Sequence, residues 1–196
     1  MVARTARKPR GYVGTGHETI GSDILAVMRA LPRPESVLGQ ETVDRIACVK
    51  PNEFYPMGWF LDLMEELDAS IGRVALVRLG RRVFSESHQE RVLKTARSAR
   101  DILYGIDGMY RFAHRGTEIG GWKVLLFQPG RAELEKTTPH HCAMEEGILL
   151  EALFAIGVPA RIEQTKCFRA GAPSCLYVVT SVVEDARWSG SGGAPT

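Results

Sequence analysis

Three cysteines in the C-terminal part of the chain form the residue pattern with the most chemical potential. Cys167 and Cys175 flank the segment Ala170-Gly-Ala-Pro173, which is typical of a turn between two β-rich segments. A hairpin would bring these two side chains together without long-range folding. Cys142 lies 25 residues before Cys167 and directly follows the dipeptide His140-His141, at the predicted start of a helix. The fold could therefore gather three thiols and two imidazoles.

Three interpretations of this cluster stay open: a zinc site, a set of packed thiols, and a redox-active thiol group. Zinc prefers a tetrahedral shell of thiolate, imidazole or carboxylate ligands. We predict zinc ligation by Cys142, Cys167 and Cys175, with His140 or His141 as the fourth ligand and His141 as our choice. A complete protein shell leaves no position for water, so this zinc would be structural.

Composition limits the class of protein. The 196 residues are 44% hydrophobic and 24% charged with a net charge of +2, which predicts one globular domain and does not favour nucleic acid as a partner. Neither a secretory signal nor an apolar run of membrane-spanning length is evident, so we expect a cytoplasmic protein with reduced cysteines. The predicted segments are a disordered basic arm over 1–20, a single ligand-binding-type domain over 21–187, helical over 21–105 with sheet and helix over 106–187, and a flexible tail over 188–196.

The predicted fold class is α+β, with N-terminal helices followed by an antiparallel sheet that packs helices on one face. Apolar residues of the segment 57–71 recur at helical spacing, and its carboxylates fall on the other side, which is typical of a solvated face. A basic helix is predicted from His88 to Tyr104. The segments 109–115 and 122–127 are predicted as strands, and a helix capped by Thr137 or Thr138 precedes the cysteine hairpin.

Aromatic residues of the predicted sheet could line an apolar pocket. Tyr110, Phe112 and His114 would share one face of a strand, and Phe127 and Tyr177 could complete the cavity, although each aromatic could equally be ordinary core. His114 is also the best candidate for the axial ligand of a haem, which we treat as the weaker cofactor prediction beside zinc.

The C-terminal half, about 103–183, resembles the 4-vinyl reductase domain, which is related in fold to TRAPP transport-particle subunits and to haem–nitric-oxide-binding domains. The motifs that carry the resemblance are Cys142-Ala-Met-Glu-Glu-Gly147 and the hairpin from Cys167 to Cys175 followed by Leu-Tyr-Val-Val. The segment Ile71–Arg81 is similar to the helix that precedes the sheet in that family. The resemblance implies a TRAPP-like fold but no single reaction, because family members act as sensors, carriers and assembly modules.

The resemblance also implies a metal site and a ligand pocket. In aromatic-sensing transcription regulators with this domain, three cysteines and one glutamate hold a structural zinc, and the three cysteines match here in spacing. The glutamate position is Gln164 in this chain, and the adjacent Glu163 would point to the other face of its strand. Trp122 precedes Cys142 by the 20 residues that separate a pocket-lining tryptophan from the corresponding cysteine in those sensors.

Together these features predict a sensor or adaptor module that binds a small aromatic or lipid-like molecule. Its output would pass through a signalling partner or through homodimerisation by the N-terminal helices. The alternatives are a reductase or haem/redox protein acting on a tetrapyrrole, and a scaffold that binds only protein. An enzyme is disfavoured, because the sequence carries no nucleotide-binding fingerprint, no ordered Ser/His/Asp set and no Cys-x-x-Cys pair.

Overall fold

The computed structural model describes residues 16–183 and 186–190. Its helices, in chain order, are α1 (Gly21–Ala30), α2 (Pro34–Leu38), α3 (Gln40–Ala47), α4 (Met57–Val83), α5 (Gln89–Val92), α6 (Ala99–Ala113), α7 (Cys142–Ala155) and α8 (Ala186–Ser189). Its strands are β1 (Glu18–Ile20), β2 (Phe54–Pro56), β3 (His114–Arg115), β4 (Trp122–Gln128), β5 (Arg131–Lys136), β6 (Ala160–Lys166) and β7 (Cys175–Ser181). A π-helical turn, Phe84–His88, joins α4 to α5.

Two antiparallel sheets organise these elements. The smaller has the strand order β2-β1-β3, and the larger has the order β4-β5-β7-β6. Because side chains alternate along a strand, one face of the larger sheet is buried, with Ala132 and Leu134 on β5 and Tyr177 and Val179 on β7 fully enclosed. The fold class is therefore α+β with antiparallel sheets and packed helices, as the sequence predicts. None of the described helices is long and apolar enough to span a membrane.

Helices α4 and α7 cross in direct backbone contact. A Cβ atom on Gly80 would overlap the carbonyl oxygen of Met144, and one on Gly147 would overlap the carbonyl oxygen of Val77. Two glycines that face each other's helix thus let the backbones approach more closely than larger residues would allow. This crossing fixes the N-terminus of α7, and with it Cys142, against the helical part of the molecule.

We expect Gly80→Ala to lower the free energy of unfolding by about 1–3 kcal/mol, the usual cost of overpacking. The loss should appear although alanine favours a helix over glycine by about 1 kcal/mol. Gly105→Ala on α6 is the matched control, because no atom lies within 4 Å of its Cβ position. Urea unfolding would measure both. A Gly80→Ala protein as stable as the Gly105→Ala protein would contradict the close crossing.

Several predicted elements are confirmed. The cysteine hairpin forms from β6 and β7, and the amphipathic helix over 57–71 is the first part of α4. Gly72 marks its end with a kink, since φ is 73° at this residue, a left-handed conformation that glycine adopts without steric cost.

Other predictions at the element level are wrong. The segment 109–113 is the end of α6 rather than a strand, and the predicted basic helix over 88–104 is interrupted between α5 and α6. The missing strand is β5, which pairs with β4 through the turn at Pro129-Gly130. Neither Thr137 nor Thr138 caps α7; the imidazole of His141 accepts a hydrogen bond from the Ala143 amide instead.

The predicted segment boundaries also change. Glu18–Ile20 forms β1, so a disordered arm cannot extend through residue 20, and the remainder of that prediction, 1–15, lies outside the described residues. Trp188 is 2% exposed on α8, and its indole N–H donates to the carbonyl oxygen of Gln128. The chain is therefore still packed at 188, where a flexible tail was predicted; residues 191–196 lie outside the described part.

Candidate functional site

A small enclosed cavity lies where α1, α4, α6 and α7 meet. Its volume is about 30 Å³, and it is lined by Asp23, Phe60, Val83, His88, Ile106, Met109, Tyr110, Ala113, His114, Trp122, His140, Met144, Glu145 and Ile148. The three histidines and the one aspartate of this lining, His88, His114, His140 and Asp23, are each at most 6% exposed. We call these four residues the histidine site.

One half of the histidine site is a hydrogen-bonded histidine–aspartate pair. Nε2 of His88, at the end of the π-helical turn, lies 3.1 Å from Oδ1 of Asp23 on α1. Burial alone would raise the pKa of Asp23, but the charge and hydrogen bond of His88 outweigh it, and the pKa lies below its usual value. Arg91 on α5 places Nη2 3.4 Å from Nδ1 of His88. His88 therefore contacts Asp23 through one ring nitrogen and Arg91 through the other.

The other half consists of two imidazoles in contact, with their ring planes tilted by 35°. The rings of His114 and His140 lie 4.3 Å apart, and Tyr110 packs on His114 at 4.6 Å. Within the described residues, Nδ1 of His114 and both ring nitrogens of His140 are buried without a hydrogen-bond partner. Burial lowers the pKa of His114 well below its usual value. Burial, followed by the charge of Lys136, lowers the pKa of His140 to about 3. Both rings are therefore neutral near pH 7 and present unused lone pairs, which can bind a metal ion or accept a hydrogen bond.

A buried ion pair borders the cavity. The Lys136 side chain is fully buried, and its Nζ lies 2.5 Å from Oε2 of Glu145 and donates to the carbonyl oxygen of His140 at 2.6 Å. Thr138 donates to the same carboxylate at 2.7 Å. Burial lowers the pKa of Lys136, but the charges of Glu145 and Cys142 more than compensate, so it is raised overall. This pair is not among the predicted site residues, because it depends on β5, where the alternation Ala132, Leu134, Lys136 places the lysine on the buried face.

The three cysteines do meet. Sγ of Cys142 lies 3.6 Å from Sγ of Cys167, 3.4 Å from Sγ of Cys175 and 3.6 Å from Nζ of Lys136. Hydrogen bonds from Cys167 and Cys175, aided by Lys136, lower the pKa of Cys142 far below its usual value. The same bonds raise the pKa of the two donors. The arrangement is therefore a Cys142 thiolate that accepts hydrogen bonds from two thiols and lies next to the ammonium of Lys136.

The predicted fourth metal ligand is not in place. Nδ1 of His141 caps α7, and its Nε2 lies 3.4 Å from Oδ2 of Asp68. The group of potential ligands that lies within coordinating distance contains only Cys142, Cys167 and Cys175 among the described residues. Glu163 pairs with Val178 and is exposed, on the opposite face from Gln164, which pairs with the buried Tyr177.

The predicted pocket residues separate into two groups. Tyr110, His114 and Trp122 line the cavity, and Tyr177 packs on Trp122 with ring centroids 5.4 Å apart. Phe112 and Phe127 do not line it. Phe112 is 49% exposed beneath the guanidinium of Arg91, and Phe127 stacks on Trp188. Tyr110 and His114 share a face because they are one helical turn apart at the end of α6, whereas Phe112 lies on the other side.

No family model matches the sequence, and no curated protein matches it. Solved structures do match the fold. An H-NOX protein from S. oneidensis in the Fe(II)NO ligation state gives a TM-score of 0.66 at 12% identity, over 84% of this chain and 99% of that chain. The Fe(II) unliganded H-NOX protein from K. algicida gives a TM-score of 0.64 at 15% identity, over 85% and 98% of the two chains. A structure described as "Modulating Heme Redox Potential Through Protein-Induced Porphyrin Distortion" gives 0.59 at 11% identity, over 86% and 95%.

These likenesses correct the cofactor prediction. The prediction of zinc as the probable cofactor, with haem as the weaker candidate, is wrong, because the matching structures are those of H-NOX proteins described in an Fe(II)NO state and an Fe(II) unliganded state. The geometry supplies the physical reason, since His141 is turned to Asp68 and the ammonium of Lys136 approaches the Cys142 sulfur. The relation to the 4-vinyl reductase domain stays a prediction. The comparisons identify the fold of this chain as that of the H-NOX domains.

Proposed function

We propose that this chain is a small-molecule sensor module whose cofactor is haem, bound at the histidine site. The observation that carries the proposal is the presence of buried, neutral imidazoles whose ring nitrogens have no hydrogen-bond partner. An unpaired buried polar group costs free energy, so such groups persist where a ligand satisfies them. The fold agrees, because the proteins with this fold that are named above are described with Fe(II) or heme.

The donor set fits a haem, and His114 would be the better iron ligand of the two neighbouring histidines. The ammonium of Lys136 acts on His140 and disfavours a further positive charge at that ring. The carboxylate of Asp23 acts on His114 in the opposite sense and would stabilise a bound metal cation. The wall offered to a porphyrin is apolar and aromatic, with Phe60, Tyr110 and Trp122 among the lining residues.

The cavity at the histidine site is too small to hold a porphyrin in this conformation. Its 30 Å³ is about a tenth of the smallest pocket that usually holds a cofactor-sized ligand, ~300 Å³. Binding a porphyrin therefore requires side chains to separate, and Met109 on α6 is suited to move because it is unbranched and only partly buried. We propose that this opening is the conformational change by which the module reports its loaded state to a signalling partner.

Once bound, haem would supply an iron centre able to take a small diatomic ligand. The chain's own residues would hold and tune that centre. Asp23 and His88 would fix the charge next to the ligand histidine, while Trp122 and Phe60 would exclude water from the cavity. A cytoplasmic location, a homodimeric state and a small aromatic ligand in place of haem stay predictions.

Alanine substitution of His114 and of His140, one at a time, tests which of the two histidines binds the metal. We expect His114→Ala to weaken haem binding at least ~10-fold, since even the loss of a residue that supports a metal ligand commonly costs 10–100-fold. His140→Ala is the matched control, with a ring of the same size lost from the same cavity, and should keep the haem absorption spectrum. Circular dichroism would establish that both variants are folded. Equal loss of the spectrum in both variants, or in neither, would overturn the assignment of His114.

A further inference from the structure

A second, open cavity lies on the outer side of α6. It runs between α6 and the segment 91–96 and has a volume of about 730 Å³. Its floor is apolar, with Phe84, Ile102 and Ile106 buried beneath it. We call this cavity the α6 groove. Its volume falls within the ~300–1,000 Å³ range that is typical of small-molecule sites, whereas the histidine site is far smaller.

Two glycines on α6 leave the groove open. Gly105 and Gly108 both line it, and a Cβ atom built on either residue would meet no atom within 4 Å. Both lie inside a helix of 15 residues, where glycine is less favourable than alanine. Neither glycine is needed for close packing against the described residues. Their effect in this structure is to keep the space above the apolar floor empty.

The charges at the rim of the α6 groove are unequal. Arg91 and Lys94 both line it, and the Arg91 guanidinium lies 3.6 Å from the centre of the Phe112 ring. Lys94 pairs with Glu90 at 3.2 Å, and an exposed pair of this kind is weak. Asp101, the one acidic residue of the lining within the described part of the chain, already accepts hydrogen bonds from the backbone amides of Arg97 and Ser98 at 2.9 and 3.0 Å. The rim therefore offers cations and no comparably available anion.

We propose that the α6 groove binds an anionic amphiphile of the fatty-acid class, with the alkyl chain on the apolar floor and the carboxylate at Arg91 and Lys94. Charge complementarity at the rim favours this occupant over a neutral apolar molecule or the face of a second copy. The proposal does not rest on haem binding, because the groove is open in the structure as it stands. It makes Arg91 the link between the two sites, since this residue also contacts His88.

The test measures the binding of decanoate and of 1-decanol to the haem-free 196-residue chain. Calorimetry gives the affinities, and amide NMR shifts locate the bound molecule. Decanoate should bind at least about tenfold more tightly than 1-decanol, because a hydrogen-bonded charge pair contributes at least that factor. Arg91→Gln should remove most of this preference and leave the affinity for 1-decanol unchanged. Equal affinities for the two probes would overturn the proposal.

Filling the groove provides an independent test. Gly108→Leu should weaken decanoate binding more than about tenfold without lowering the melting temperature, because leucine favours a helix more than glycine does. Gly58→Leu on α4, where a Cβ atom also meets nothing, is the matched control and should bind decanoate normally. Unchanged decanoate binding by Gly108→Leu would overturn the assignment. The proposal would also be overturned if the parent chain binds no decanoate and is a dimer by light scattering, while Gly108→Leu is a monomer. In that case a second copy of the chain occupies the groove.

Discussion

Lys136→Met is expected to lower the free energy of unfolding by about 3–5 kcal/mol, the usual result of removing one partner of a buried ion pair. The side chains of Lys136 and Glu145 are 0% and 7% exposed, and the substitution leaves the carboxylate of Glu145 without its cation. It also removes the hydrogen bond to the carbonyl oxygen of His140. Methionine has a similar length, so a cavity contributes little to the loss.

Urea unfolding of three proteins isolates this effect. Lys123→Met changes a lysine on the adjacent strand that is exposed, and should alter stability by less than about 0.5 kcal/mol. The double substitution Lys136→Met/Glu145→Leu removes both charges and should recover most of the loss, because an apolar pair can replace a buried ion pair. If the free energy of unfolding of Lys136→Met lies within about 1 kcal/mol of that of the parent, as expected for an exposed position such as Lys123, the ion pair is not buried as described.

Acidification from pH 7 to pH 5 is expected to cost about 2 kcal/mol of stability through His140 alone. The pKa of His140 is about 3 in the folded chain and near 6.5 in the unfolded chain, so only the unfolded state takes up the proton over this range. Its contribution is therefore complete above about pH 6.5 and is lost progressively as the pH falls toward 3. His114, whose pKa is also lowered by burial, acts in the same direction.

His140→Phe tests the assignment, because phenylalanine keeps the ring and cannot bind a proton. The free energy of unfolding of the variant, measured by urea at several pH values, should fall by about 2 kcal/mol less than that of the parent between pH 7 and pH 5. Asp23 does not interfere, since a carboxylate with a lowered pKa loses its contribution only below about pH 4. Parallel pH profiles for the two proteins would contradict a neutral, buried His140.

Elements with local signals could be predicted from the sequence. The turn around Gly171 fixes the cysteine hairpin, and the apolar spacing over 57–71 fixes the first half of α4. The segment 109–113 was mistaken for a strand because Tyr110 and Phe112 favour strands by propensity. Two helical signals outweigh that propensity: the capping box of Ser98 with Asp101, which lies before the segment, and the pair of Asp107 with Arg111, which spans its start. Strand β5 was missed because four of its six residues are charged.

The histidine site could be predicted only in part. Tyr110, His114 and Trp122 were singled out, although a helix rather than a strand brings the first two together. Asp23 and His88 pair across 65 residues, and such a contact depends on how α1 docks against the end of α4. No local pattern encodes that docking. The cysteine cluster shows the opposite case: its members were predicted to meet and do so, yet their spacing could not reveal the lysine beside them.

Titration of the purified chain with ferrous haem, followed by absorption, tests the central proposal most directly. The proposal predicts saturation at one haem per chain, with a sharp Soret band that differs from that of free haem and shifts when nitric oxide is added. Haem that shows no saturable binding would contradict the proposed haem sensor, and a spectrum that His114→Ala leaves unchanged would contradict the assignment of His114 as the ligand. The α6 groove would remain open to its own test with decanoate.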